Sequence, residues 1–175
     1  MITNKFIEIY SAAYDEANHQ ENELEQRIRD SIREQKKQGR SYLTKSILRD
    51  ILRWKAARVG KLIKDNEDDF VEAVTKLAFA AKNERLRVEA LTLIKGVGYR
   101  VATAVLHFWC PERYTVMDWR VWGTLQKQGY LDEEIRNDFT HWQDYLRVCR
   151  QIADKNQVSL RKLDKACWQY SKEKK

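Results

Sequence analysis

A single proline, Pro111, in a chain of 175 residues with only six glycines leaves very few places where a helix must break. Proline removes a backbone donor and clashes with the preceding turn, and glycine weakens a helix interior, so their scarcity permits long uninterrupted helices. Apolar residues recur at spacings of three and four, and no stretch alternates convincingly with a period of two. The fold class that follows is all-α. The chain is expected to form one domain over residues 1–175, a compact two-lobed bundle of roughly eight to ten helices.

Local signals divide the chain. Thr3 caps a first helix with Phe6, Ile9, Tyr10, Ala13 and Tyr14 on one face. Leu24, Ile28 and Ile32 mark a highly charged second helix ended by Gly39, and Ser41 starts a third that buries Leu43, Ile47, Leu48, Ile51, Leu52 and Trp54. Gly60 closes or kinks it. The acids of Asp65–Asp69 suit a helix start ahead of Phe70, Val71 and Val74. Asn83 opens a helix that runs through Ile94, Lys95–Gly98 breaks it, and Tyr99–Trp109 resumes it. After a loop over Cys110–Met117, helices are expected over Asp118–Gln128, Asn137–Asn156 and Ser159–Ser171.

Composition narrows the function classes. Apolar residues make up 43% of the chain, enough for a core, and charged residues 34%, interspersed with them rather than segregated as in a disordered tail. A net charge of +7 favours a polyanionic partner. Cys110, Cys149 and Cys167 form no CxxC pair, so neither a zinc site nor an iron–sulfur cluster is readable, and no cofactor is expected. Reduced thiols, no apolar leader and no run of membrane-spanning length point to a soluble intracellular protein, cytoplasmic or at the nucleoid, with no membrane partner.

The most informative segment runs from Leu91 to Leu106. Gly96 and Gly98 flank Val97 between two helical patterns. Glycines there allow unusual backbone torsions and remove the Cβ that would hold a phosphate away. The amides opening the second helix sit at the positive end of its dipole and favour an anion. Val97 is expected to face inward and Ala102 to let the two helices pack closely. A plain αα-hairpin that happens to contain Gly-Val-Gly is the alternative. If DNA is the partner, Lys95, Gly96, Val97, Gly98, Tyr99 and Arg100 are the contact residues, and such contacts position a duplex without reading its sequence.

Over Leu91–Val121 the chain resembles the helix-hairpin-helix superfamily of base-excision DNA glycosylases, which includes endonuclease III and 8-oxoguanine glycosylase. In that superfamily the hairpin L-P-G-V-G-x-K-x-A leads through a loop to an Asp that opens a helix. Here Ile94-Lys95-Gly96-Val97-Gly98-Tyr99-Arg100-Val101-Ala102 stands at the hairpin, and Val116-Met117-Asp118 follows with 19 residues between Gly98 and Asp118. The resemblance implies a helix-hairpin-helix at 86–109, a DNA-binding cleft, double-stranded DNA as partner to a monomer, and a glycosylase with Asp118 as its catalytic carboxylate. Three positions depart from the pattern. Lys95 replaces the hairpin proline, the iron–sulfur cysteines are absent, and Arg100 stands where strand-cleaving members carry a lysine. Arginine stays protonated and forms no Schiff base, so the monofunctional kind is implied.

A carboxylate beneath C1′ stabilises the cationic sugar that forms as a base leaves, and the base must first be flipped into a pocket. Trp54, Lys55, Trp109 and Trp119 are the candidates to line such a pocket, with core packing as their alternative role. Asp118 can also serve as an ordinary N-cap, and the two roles are compatible. His107 and His141 read as structural residues with no carboxylate partner by spacing. Arg161, Lys162 and Lys165 form a helical basic face that touches DNA or faces water. Two rivals remain: a non-enzymatic DNA binder with the same fold, and a protein–protein adaptor.

Overall fold

The computed structural model describes residues 1–132 and 134–174, and among them the protein is helical with no strand. The elements are α1 (Asn4–Ala17), α2 (His19–Lys37), α3 (Lys45–Ala56), a 3-10 segment (Ala57–Asp65), α4 (Asp68–Ala80), α5 (Glu84–Leu91), α6 (Tyr99–Trp109), α7 (Trp119–Lys127), α8 (Phe139–Lys155) and α9 (Leu160–Glu173). Two compact units divide the chain. One is continuous, Gln20–Trp109; the other joins Met1–His19 to the chain from Cys110 onward.

Side-chain caps set most helix starts. Thr3, Asn83, Asp118, Asp138 and Ser159 each accept a hydrogen bond from a first-turn amide, satisfying a donor that the helix itself cannot. Gly39, at φ +75°, allows the turn after α2. The third helix starts at Lys45 rather than Ser41, because Leu43 is drawn wholly into the core and its amide donates to the Thr75 hydroxyl at 3.0 Å. Gly60 does not end α3. That helix stops at Ala56 and the chain tightens into nine residues of 3-10 helix, an uncommonly long run for that geometry.

In the continuous unit α3 packs against the 3-10 segment, α4 and α6, and α5 packs against α4 and α6. Leu48, Ile51 and Leu52 of α3 have no exposed surface. Truncating any one to Ala costs ~2–5 kcal/mol through lost transfer energy and the cavity left behind. Every residue of α6 from Val101 to Phe108 is buried, so this helix is the axis of the unit. Within it Glu25, Arg29 and His107 form a chain. Glu25 pairs with Arg29 at 2.8 Å, and Arg29 lies 2.9 Å from His107 Nε2, which must accept because a guanidinium only donates.

In the discontinuous unit α9 packs against α1, α7 and α8. The expected apolar face of α1 is rotated. Ile7, Ser11 and Tyr14 are buried while Ile9 is 52% exposed, and Phe6 and Tyr10 are half-buried against Tyr170 of α9. The basic face of α9 is spent in this contact: Lys162 pairs with Glu8 at 2.6 Å, Lys165 with Asp15 at 2.7 Å, and Arg161 with Asp164 and the Tyr14 hydroxyl. No helix is long and apolar enough to cross a membrane among the described residues.

Candidate functional site

Two helices and a short turn place the residues of interest in the continuous unit. α5 ends at Leu91, three residues earlier than the periodicity suggests, because Thr92, Leu93 and Ile94 close tight turns onto the carbonyls of Glu89, Ala90 and Leu91. Val97 N–H donates to Ile94 O at 2.9 Å, and the amides of Val101 and Ala102 both return to Gly98 O, so Gly98 is where α6 begins. Val97 is 3% exposed and Ile94 1%, which fixes the turn to the core as expected.

The two glycines do different things. Gly96 has φ +94°, a torsion that side chains rarely adopt, and a Cβ there would stand 3.1 Å from Leu62 Cβ and 3.4 Å from both Leu52 Cδ2 and Val59 O. Its missing side chain therefore makes room for the 3-10 segment and not for a ligand, which corrects the expectation that both glycines clear space for a phosphate. Gly98 is exposed, and a Cβ there would meet nothing within 4 Å.

A residue that sequence reasoning missed holds the turn. Asn66 is buried, and its side-chain amide accepts from Lys95 N–H at 2.8 Å and donates to Lys95 O at 3.1 Å. The partners are 29 residues apart, so no local signal announces the pair. The Lys95 side chain is exposed and its ammonium lies 2.8 Å from Asp65, whose carboxyl is held below its ordinary range chiefly by that hydrogen bond. Tyr99 and Arg100 are half-buried on the first turn of α6.

Asp118 belongs to the other unit. Its backbone is extended, its Oδ1 accepts from Arg120 N–H at 2.9 Å, and its carbonyl accepts from Trp122 N–H, so it is the N-cap of α7 and half-buried. The following residue, Trp119, is 50% exposed with the Arg120 guanidinium 4.4 Å from its ring centre. Burial first, and then nearby charges that include the Asp118 carboxylate, oppose ionisation of the Tyr145 phenol.

The pocket candidates are not brought together in one described site. Trp54 and Lys55 are half-buried on α3, with Trp54 edge-on to Phe108 at 5.0 Å. Trp109 is stacked parallel on Phe79 at 4.0 Å, and Lys36 Nζ stands 4.3 Å from the same ring. Phe79 therefore covers one face of Trp109, and Lys36 packs against the same indole. His141 also differs from expectation, since its Nδ1 lies 2.8 Å from Asp138 Oδ1. The i,i+3 spacing of that pair was available in the sequence. It holds the Asp138 carboxyl below its usual value, first through the His141 backbone N–H and then through the ring. Beside it, Trp122, Tyr130, His141 and Arg147 border a cavity of 280 Å³.

Among the described residues no group of three or more His, Cys, Asp or Glu is placed to hold a metal ion. No family model, curated protein or solved structure matches this chain.

Proposed function

We propose that this protein is a monofunctional DNA glycosylase. It grips duplex DNA through a helix-hairpin-helix made of α5, the turn 92–98 and α6, flips out a modified or mismatched base, and hydrolyses its N-glycosidic bond with Asp118. The observation that carries the reading is the contrast across one peptide: Val97 is locked in the core while Gly98 beside it lies open at the first turn of a buried helix. A phosphate oxygen can approach that backbone as closely as its own radius permits, at the positive end of α6. Lys95 stands next to it in an exposed ion pair with Asp65, a weak interaction that a phosphate can displace.

Chemistry is assigned to Asp118. As the bond between C1′ and the base nitrogen lengthens, positive charge grows on the sugar, and a carboxylate beneath it is worth most at that moment. The same group takes a proton from the water that attacks C1′, while the base leaves with the bonding electrons. Arg100 cannot form an imine with the opened sugar, so hydrolysis ends the reaction without strand cleavage. Trp54 and Lys55 are the side chains assigned to the base pocket.

The test is a base-release screen on duplexes that each carry one modified or mismatched base, with borohydride added in parallel. Release from at least one duplex with no trapped adduct is the expected result. An adduct would show that an amine acts as nucleophile and overturn the monofunctional assignment. The hydrogen bond from Arg120 N–H to Asp118 Oδ1 favours a second reading, because capping alone accounts for an aspartate there. In that reading the protein is a non-enzymatic DNA binder. Salt-sensitive duplex binding without release from any member of the panel would establish it.

A further inference from the structure

The 3-10 segment carries a second cationic surface beside the hairpin. With 3.0 residues per turn and a rise of about 2.0 Å, residues three apart in a 3-10 helix lie in line. Ala57–Asp65 therefore presents three rows. Val59, Leu62 and Asp65 form the row that meets the hairpin: Val59 and Leu62 close over Gly96, and Asp65 pairs with Lys95. Ala57, Gly60 and Ile63 form the second row, the small and apolar floor of a groove of 450 Å³. Arg58, Lys61 and Lys64 form the third. Lys61 and Lys64 edge the groove on this side, and Arg49 and Arg53, one turn apart on α3, edge it on the other.

No acid lines this groove. Lys61 and Lys64 make no ion pair among the described residues; Arg49 reaches only the Ser46 hydroxyl at 3.3 Å, and Arg53 has Asp50 no nearer than 3.9 Å. Arg49, Arg53, Lys61 and Lys64 are exposed. Four like charges around an apolar floor repel one another, and the repulsion is relieved when a polyanion enters. Basic side chains three residues apart in the third row stand about 6 Å from one another along the segment, close to the step between neighbouring phosphates of a strand.

We propose that this groove seats the sugar-phosphate backbone of the same DNA that the hairpin grips, adding phosphate contacts that carry no sequence information. The proposal rests on the DNA-binding reading of the hairpin and extends it: the 3-10 segment joins the two contact surfaces, one row on the hairpin and one along the groove.

The test uses the full chain and a short duplex of random sequence. In the wild type, acylation of exposed lysines is followed with and without duplex. Lys61, Lys64 and Lys95 are expected to be protected, and Lys76 and Lys127 not. Inorganic phosphate at matched ionic strength is expected to protect none. Replacing Arg49, Arg53, Lys61 and Lys64 by Gln should weaken binding at least about tenfold and flatten the salt dependence by about two phosphate contacts, at ~0.9 per contact in log–log slope. The same change at Lys5, Lys76, Lys127 and Lys155 should do much less. Protection of Lys95 alone, equal losses in both quadruple variants, or protection by phosphate alone would each overturn the groove while leaving the hairpin standing. Absence of duplex binding by the wild type at low salt would overturn both.

Discussion

The side chain of Asn66 holds the backbone of Lys95 at both ends, accepting its N–H at 2.8 Å and donating to its carbonyl at 3.1 Å. The same amide also donates to Ile63 O at 3.2 Å, so one buried group ties the turn 92–98 to the end of the 3-10 segment. Asn66→Ala leaves the Lys95 backbone groups without these partners and should destabilise the protein by ~1–3 kcal/mol. Hydrogen exchange at Lys95 should accelerate well beyond that of the α6 amides. Equal acceleration throughout the unit would mean that Asn66 serves global stability alone.

Gly96 and Gly98 should separate stability from binding. Gly96→Ala forces a side chain onto a φ of +94° and against Leu62, and should lower stability by more than about 1 kcal/mol. Gly98→Ala meets open space and should leave thermal melting nearly unchanged. If a phosphate sits on Gly98, that same methyl should weaken duplex binding alike for all sequences. A Gly98 variant of wild-type affinity would remove the hairpin amide as the anchor.

Asp118→Asn keeps a side-chain oxygen that can cap α7, so folding should survive. In the proposed reaction it loses the charge that stabilises the sugar as it becomes cationic. Base release should fall by orders of magnitude in single-turnover assays while duplex affinity stays within a few-fold. Release at the wild-type rate would reduce Asp118 to a cap.

The thiols of Cys149 and Cys167 are buried, and burial first, then the Asp164 carboxylate for Cys149 and the other thiol for Cys167, pushes their ionisation well above the ordinary value of 9.0. A raised acid in the folded state means that the unfolded chain ionises first. The stability contributed by keeping these thiols neutral is complete below pH 9.0 and is lost as pH rises above it. Thiol-reactive probes at neutral pH should leave both unlabelled until unfolding, and melting temperature should fall from pH 9 to pH 11. A Cys149→Ala, Cys167→Ala variant with the same alkaline decline would assign the loss to other groups.

Helix identity was legible wherever a cap residue preceded a periodic apolar run. Thr3, Asn83, Asp118 and Ser159 were read in place, and α6 was bounded correctly at Tyr99 and Trp109. Apart from the local His141–Asp138 pair and the early end of α5, what failed shares one cause: the deciding partner lies far along the chain. The 3-10 segment has the same apolar and basic residues that an α-helix would carry, and Asn66 and Gly96 set its course from outside. The direction of the absent Gly96 side chain depends on Leu52, Val59 and Leu62, and the fate of Trp109 on Lys36 and Phe79. The basic face of α9 read as touching DNA or facing water because its acidic partners, Glu8 and Asp15, lie far away in the sequence. Asp118 was placed correctly as a cap, and a cap is all that local sequence can specify.

The seam between α1 and α9 also fixes an order of events during synthesis. Glu8, Asp15, Phe6 and Tyr10 emerge from the ribosome long before Lys162, Lys165 and Tyr170, on which they close. The continuous unit, Gln20–Trp109, is complete before the chain has even reached Asp118. It can therefore condense while α1 is still waiting, its 7–11–14 stripe open to chaperones. A nascent chain halted before Ser159 would hold a finished Gln20–Trp109 unit and an unassembled second one.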